Sequence, residues 1–222
     1  MTIPTPKMLA IFTEQWECLM GIGRVRAGLH LQSLAQIVAA YSEPHRHYHN
    51  LDHIVHLLDM LMMRHEAEPH QRLALYLAAV FHDIVYDTRS SENEARSAKV
   101  AEATLNEIGL RGLSERVGRW ILMTKDHQAP DDHLDAQVLL DADLSILGMG
   151  PIAYAEYAKA IRREYEWVSE PEYLTGRRKV LSGFLARSAI YRTDSFKRWE
   201  TPARRNIAGE LAEIDAKLRT LE

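Results

Sequence analysis

"HRHYHNLDHIVHLLDML", residues 45–61, holds five of the chain's 11 histidines together with the start of a helix. Asn50 is a residue type that caps helix N-termini. After it, Ile54, Leu57, Leu58 and Leu61 recur at three- and four-residue spacing, the apolar stripe of an amphipathic helix. The histidines fit that helix less easily. Histidine is a mediocre helix former, and burying its ring without partners for the nitrogens costs free energy. Either a metal ion employs some of these rings or they form a solvent-facing patch. His49 and His53 are four residues apart and share a face if the turn between them is helical.

The same spacing extends in both directions. Upstream, Leu9, Phe12, Trp16 and Leu19 form a stripe ending at Gly21–Gly23, and Leu34, Ile37, Val38 and Tyr41 form another, stopped before Pro44. Downstream, Pro69 opens a helix with Leu73, Leu77, Val80, Phe81 and Ile84 inward. Ser91-Glu92-Asn93-Glu94 reads as a capping box for the next helix, which Gly109 closes. Further helices fit 114–127, 135–147, 153–167 and 172–190, and Thr201-Pro202 supplies a cap and first-turn proline for the last. No stretch alternates as a strand does. About nine or ten helices with short links predict an all-α helical bundle, one domain over residues 1–222. In the last helix Ile207, Leu211, Ile214, Leu218 and Leu221 follow 4-3-4-3 spacing, a seam of about two heptads. It suits docking on its own domain or, alternatively, a homodimer through the C-terminal helix.

Composition narrows the function. With 27 Lys and Arg against 31 Asp and Glu, the net charge is −4 and the pI about 6.3, which argues against binding a nucleic-acid polymer. Cys18 is the single cysteine, so no intrachain disulfide can form, and a reducing cytoplasm is expected. Neither a secretory leader nor a membrane span is expected. No P-loop, dinucleotide fingerprint or Gly-x-Ser-x-Gly element is present.

Three pieces carry chemistry: Tyr48-His49-Asn50-Leu51-Asp52-His53, Phe81-His82-Asp83, and Leu140-Asp141-Ala142-Asp143-Leu144. His82 and Asp83 lie among Val80, Phe81, Ile84 and Val85; Asp143 lies among Leu139, Leu140, Leu144 and Ile146. A carboxylate buried in such a run needs a partner. Taken singly, each piece is most simply a hydrogen-bonded pair, a cap or a solvated acid. Taken together they point to one divalent cation between helices, with open positions for water and substrate.

At this point the chain resembles the HD superfamily of metal-dependent phosphohydrolases. "HNLDH" is similar to the opening His-(Asp/Asn)-x-x-His element, and "YHNLDHI" to the Tyr-His-Asn-x-x-His signature of cyclic-nucleotide phosphodiesterases. "FHDIVYD" resembles the central His-Asp pair, and "DADLSILG" the closing Asp-Ala-Asp-x-Leu segment. The likeness is greatest to the bacterial predicted HD phosphohydrolases and includes "SSENEARSA" and "EYEWVSEPEYLTGRRKVL". It implies that His53, His82, Asp83 and Asp143 are metal ligands, for one ion or two, of Mn, Co, Ni, Fe, Zn or Mg. It implies hydrolysis of a phosphate ester or anhydride, of a nucleotide or other small phosphorylated metabolite, by metal-activated water. His49 is then the general acid, and Asp83 orients or deprotonates the water. Asp141 is the alternative closing ligand, or else supports one or caps a helix. His127, with His133 behind it, is a candidate for a second metal, and Asp87 could brace a ligand or simply end its helix. Lys125, Arg96, Arg177, Arg178 and Arg187 are candidates for phosphate binding, each equally readable as a surface charge. His45, His47 and His56 read as partly exposed bystanders, with His56 in a position to orient phosphate. Two other classes stay open: a di-iron oxygenase, which would draw on His127 and His133, and a non-catalytic nucleotide sensor.

Overall fold

Residues 73–81, LALYLAAVF, contain no charge, and in the computed structural model every one of them is buried. A helix that is apolar all round has to lie inside its neighbours. This helix, α4 (Pro69–Phe81), centres the first of two compact units, residues 1–140. Four helices pack on it: α1 (Pro6–Ile22), α3 (Leu51–Met62), α5 (Asn93–Glu107) and α6 (Arg111–Thr124). The remaining helix, α2 (Leu29–Tyr41), packs on α1 and sends the Tyr41 hydroxyl 2.8 Å to the Val80 carbonyl. Phe12, Trp16 and Leu19 face the core from α1, with Trp16 edge-on to Phe81. Each such burial contributes roughly 1.5–3 kcal/mol. The structure describes residues 4–26, 28–62 and 69–221, and no strand occurs among them.

The second unit, from Asp141 onward, follows α7 (Leu134–Asp143), a helix whose residues 134–140 belong to the first unit. A 3₁₀ turn at Leu144–Gly148 leads into α8 (Pro151–Glu164), α9 (Glu170–Ala186) and α10 (Glu200–Leu221). The α10 helix packs on α9 and on the 3₁₀ turn, burying Ile207 and Ile214 of its apolar seam. Gly148 allows the short 3₁₀ turn Lys197–Trp199 to pack there as well, because a Cβ at Gly148 would meet the Trp199 Cβ at 2.5 Å.

The expected all-α class is found, and the described residues form ten α-helices, within the expected nine or ten. Several ends differ from expectation. The cap of α5 is Glu92 and makes no side-chain cap hydrogen bond, so Ser91 and Glu94 form no capping box. The competing interaction is local: Asn93 hydrogen-bonds the Asp87 backbone on both sides, donating 2.9 Å to its carbonyl and accepting from its N–H at 3.1 Å. Gly109 does end the following turn, at φ +87°. The last helix begins at Glu200, one residue before Thr201, continuing the short 3₁₀ turn Lys197–Trp199. Leu9, at one end of the α1 stripe, is exposed.

Candidate metal centre

The cap of α3 decides where its histidines sit. Asn50 Oδ1 accepts the Asp52 N–H at 3.0 Å and the His53 N–H at 3.4 Å, so the helix starts at Leu51. His53 falls in the first turn on the buried face, 4% exposed. His49 therefore precedes the helix rather than lying on it, although its ring stays 5.9 Å from that of His53. Opposite, α4 has just ended when His82 arrives, 2% exposed, with its Nδ1 2.9 Å from the Ala79 carbonyl. A carbonyl can only accept, so Nδ1 carries the hydrogen. A neutral His82 ring then presents its lone pair at Nε2.

That Nε2 faces His53 Nε2 at 3.4 Å and Asp83 Oδ2 at 3.0 Å. A carboxylate oxygen is also an acceptor, so only a proton or a cation reconciles the two. The spacing suits a cation. Two nitrogens each about 2.0–2.1 Å from one ion, at a tetrahedral angle, lie about 3.3–3.4 Å apart. The α7 helix ends at Asp143, and within the first unit His53 and His82 each offer a ligand nitrogen beside the Asp83 carboxylate. These residues fit a divalent ion: two imidazoles with carboxylate oxygens suit the borderline-to-hard metals, and the setting is largely closed to water.

Asp83 Oδ2 also lies 4.0 Å from His49 Nε2, so the carboxylate stands between the two histidines. His49 is 21% exposed and stacks on Tyr86, ring centroids 4.3 Å apart, with Tyr48 edge-on at 5.0 Å. His45 stacks against Tyr86 as well and places its Nε2 3.0 Å from the Tyr86 carbonyl. His56 is half-buried; burial first, then the charge of His53, holds its pKa down at about 4.

Of the two closing acids, Asp141 is committed within the second unit. Its oxygens accept the Arg192 and Thr193 N–H groups at 3.0 and 2.7 Å and the Thr193 hydroxyl at 2.6 Å. Burial pushes its carboxyl up, against the pull of those hydrogen bonds. Asp87 is exposed and builds the loop after α4, its Oδ1 accepting the Arg89 N–H at 2.9 Å. His127 is half-buried just beyond α6, in the left-handed region at φ +48°, and His133 Nε2 lies 4.0 Å from Asp132. Among the described residues neither falls in a group of potential metal ligands.

The basic candidates divide. Lys125 is exposed and donates to the Ser91 carbonyl at 2.7 Å, and Arg96 is exposed on α5. Arg177 is buried and grips Glu210 with two hydrogen bonds of 2.8 and 3.0 Å, so its guanidinium is already spent. Arg178 reaches Asp215 at 2.7 Å, and Arg187 lies over the Phe184 ring. The sequence reading passed over Arg46 and Tyr86, which adjoin the cluster. Arg46 bonds both near its own position, to Glu43 and His49, and to the distant Asp83 and Ile84 carbonyls, and only the distant pair ties it to the cluster. No family model, curated protein or solved structure matches the chain. No single helix among the described residues is long and apolar enough to cross a membrane.

Proposed function

We propose that the chain is a metal-dependent phosphohydrolase acting on an ester or anhydride of a small phosphorylated metabolite, a nucleotide by the resemblance. In this reading His53, His82, Asp83 and Asp143 hold the divalent ion. One observation carries it: the two buried imidazole nitrogens that face each other at 3.4 Å, with Asp83 Oδ2 3.0 Å from one of them. Bound there, a divalent ion supplies Lewis acidity toward a phosphoryl oxygen and makes water acidic enough to attack near neutral pH. Asp83, between His82 and His49, orients the attacking water through its carboxylate. His49, partly exposed and held against Tyr86, gives its proton to the leaving oxygen. A reducing, cytoplasmic setting belongs to the same proposal, since Cys18 is single and exposed.

The test is elemental analysis of protein purified without chelators, followed by assays with Mn, Co, Ni or Mg against nucleotides and sugar phosphates. Release of phosphate or pyrophosphate that chelation abolishes is the expected result. A metal-loaded protein inert toward the whole panel would count heavily against the assignment.

A further inference from the structure

Arg46 is the one arginine among the described residues with a relative exposure of 0%. Burying a guanidinium is costly unless nearly all of its hydrogen-bonding capacity is used. Here it is used on two chain segments at once. Nε donates to Glu43 Oε2 at 2.9 Å. One terminal nitrogen donates both to the His49 carbonyl at 3.1 Å and to the Asp83 carbonyl at 2.6 Å, and the other donates to the Ile84 carbonyl at 3.0 Å. The plane lies near two tyrosine rings, 5.0 Å from the centre of Tyr41 and 5.5 Å from that of Tyr86.

The carbonyls so gathered belong to the turn that opens α3 and the turn that closes α4. The side chains on those turns are His49 and Asp83, whose reactive atoms are 4.0 Å apart, and each adjoins a histidine of the facing pair. We propose that Arg46 is the positioning residue of this centre. Its rigid fork sets the separation of the His49 and Asp83 backbones, and through them the arrangement of the ligands. The inference rests on the metal-centre reading of His53, His82 and Asp83. Lysine cannot take this role, since an ammonium lacks the planar fork that reaches three carbonyls and a carboxylate together.

The test is titration with Co(II) alone, read by its ligand-field absorption, on the wild type, Arg46→Lys, Arg46→Gln and Phe12→Leu. Phe12 is buried in α1 and supplies a general loss of stability. Both Arg46 variants should bind Co(II) about 10–100-fold more weakly, the range found when groups supporting metal ligands are removed. Their bands should shift, while those of Phe12→Leu should not. The sign is diagnostic for Arg46→Gln. Removing a positive charge near a dication would tighten binding if charge were the residue's whole role, and tighter or unchanged binding overturns the proposal. A wild type that binds no Co(II) overturns the metal reading beneath it, a separate outcome. If neither variant folds, Arg46→Ala refolded with methylguanidinium takes their place. Co(II) affinity restored by methylguanidinium and not by methylammonium supports the proposal; equal restoration, or none, overturns it.

Discussion

Two clusters of buried polar side chains differ in how their charges are matched. In the second unit, Arg177 lies between Glu210 and Tyr157, its guanidinium 3.2 Å from the Tyr157 hydroxyl. Tyr154 donates to the same carboxylate at 2.6 Å, and burial, then the Glu210 charge, hold its phenol well above the usual range, so it remains a donor. Here a buried cation faces a carboxylate directly, with two tyrosine hydroxyls closing around the pair. In the first unit, two imidazole nitrogens face each other and a carboxylate faces one of them. A self-satisfied cluster needs nothing further and behaves as structure. A cluster in which two imidazole nitrogens and a carboxylate oxygen converge is reconciled by a proton or a cation, and that is where chemistry is sought.

The largest expected effect follows from removing a ligand. His53→Ala should bind no metal and release no phosphate, measured by elemental analysis and by the metal-reconstituted assay. His49→Ala should keep the metal but lose about 10²–10⁴ in turnover, the range for a positioned general acid. That loss should shrink for nitrophenyl esters, whose leaving group needs no proton. If His49→Ala empties the site and His53→Ala does not, the two roles are exchanged. If both retain metal and activity, the contrast between the clusters loses its chemical meaning.

Much of this contrast can be read from sequence, and the remainder has definite physical reasons. Nine consecutive uncharged residues at 73–81 announce a buried helix, and Asn50 announces the start of α3 within a residue. These are local signals. Asp141 and Asp143 are harder, because residues two apart on a helix point about 160° away from each other. Asp141 is the one that turns to Thr193, and nothing in "DAD" says so. Arg177 looked like a phosphate ligand because its partner stands 33 residues away. The box at Ser91 failed because the cap falls one residue later, at Glu92, where Asn93 is held on the Asp87 backbone.

The self-satisfied cluster makes the next largest claim. Glu210→Leu leaves Arg177 buried and uncompensated, and should lower stability by about 3–5 kcal/mol. The double variant Arg177→Met, Glu210→Leu should recover most of that, because a hydrophobic pair of similar volume replaces two buried ions. Co(II) affinity should be unchanged in both, since no metal-ligand candidate is altered. Urea unfolding with a parallel metal titration reads both quantities. A single variant costing under about 1 kcal/mol, the range of an exposed pair, would mean that Arg177 and Glu210 are not the closed pair described.

The smallest effect concerns the edge of the first cluster. His56 has its pKa held down at about 4, below the ordinary value of 6.5, by burial and then by the charge of His53. Between those two values the unfolded chain takes up a proton that the folded chain refuses. The unfolded state therefore binds more protons, and stability must fall as pH drops from about 6.5 toward about 4. It is fully retained above the upper limit. His56→Gln cannot titrate and should lose this part of the acid sensitivity. Each pKa unit is worth about 1.4 kcal/mol, and a half-buried ring is partly screened, so the slopes should differ by about 1–2 kcal/mol between pH 7.5 and pH 5. Chelator-treated protein keeps metal release out of the comparison, and urea midpoints at the two pH values measure it. Parallel slopes for wild type and His56→Gln would show that the ring protonates as freely folded as unfolded. His56 would then belong to the solvent rather than to the cluster's buried margin.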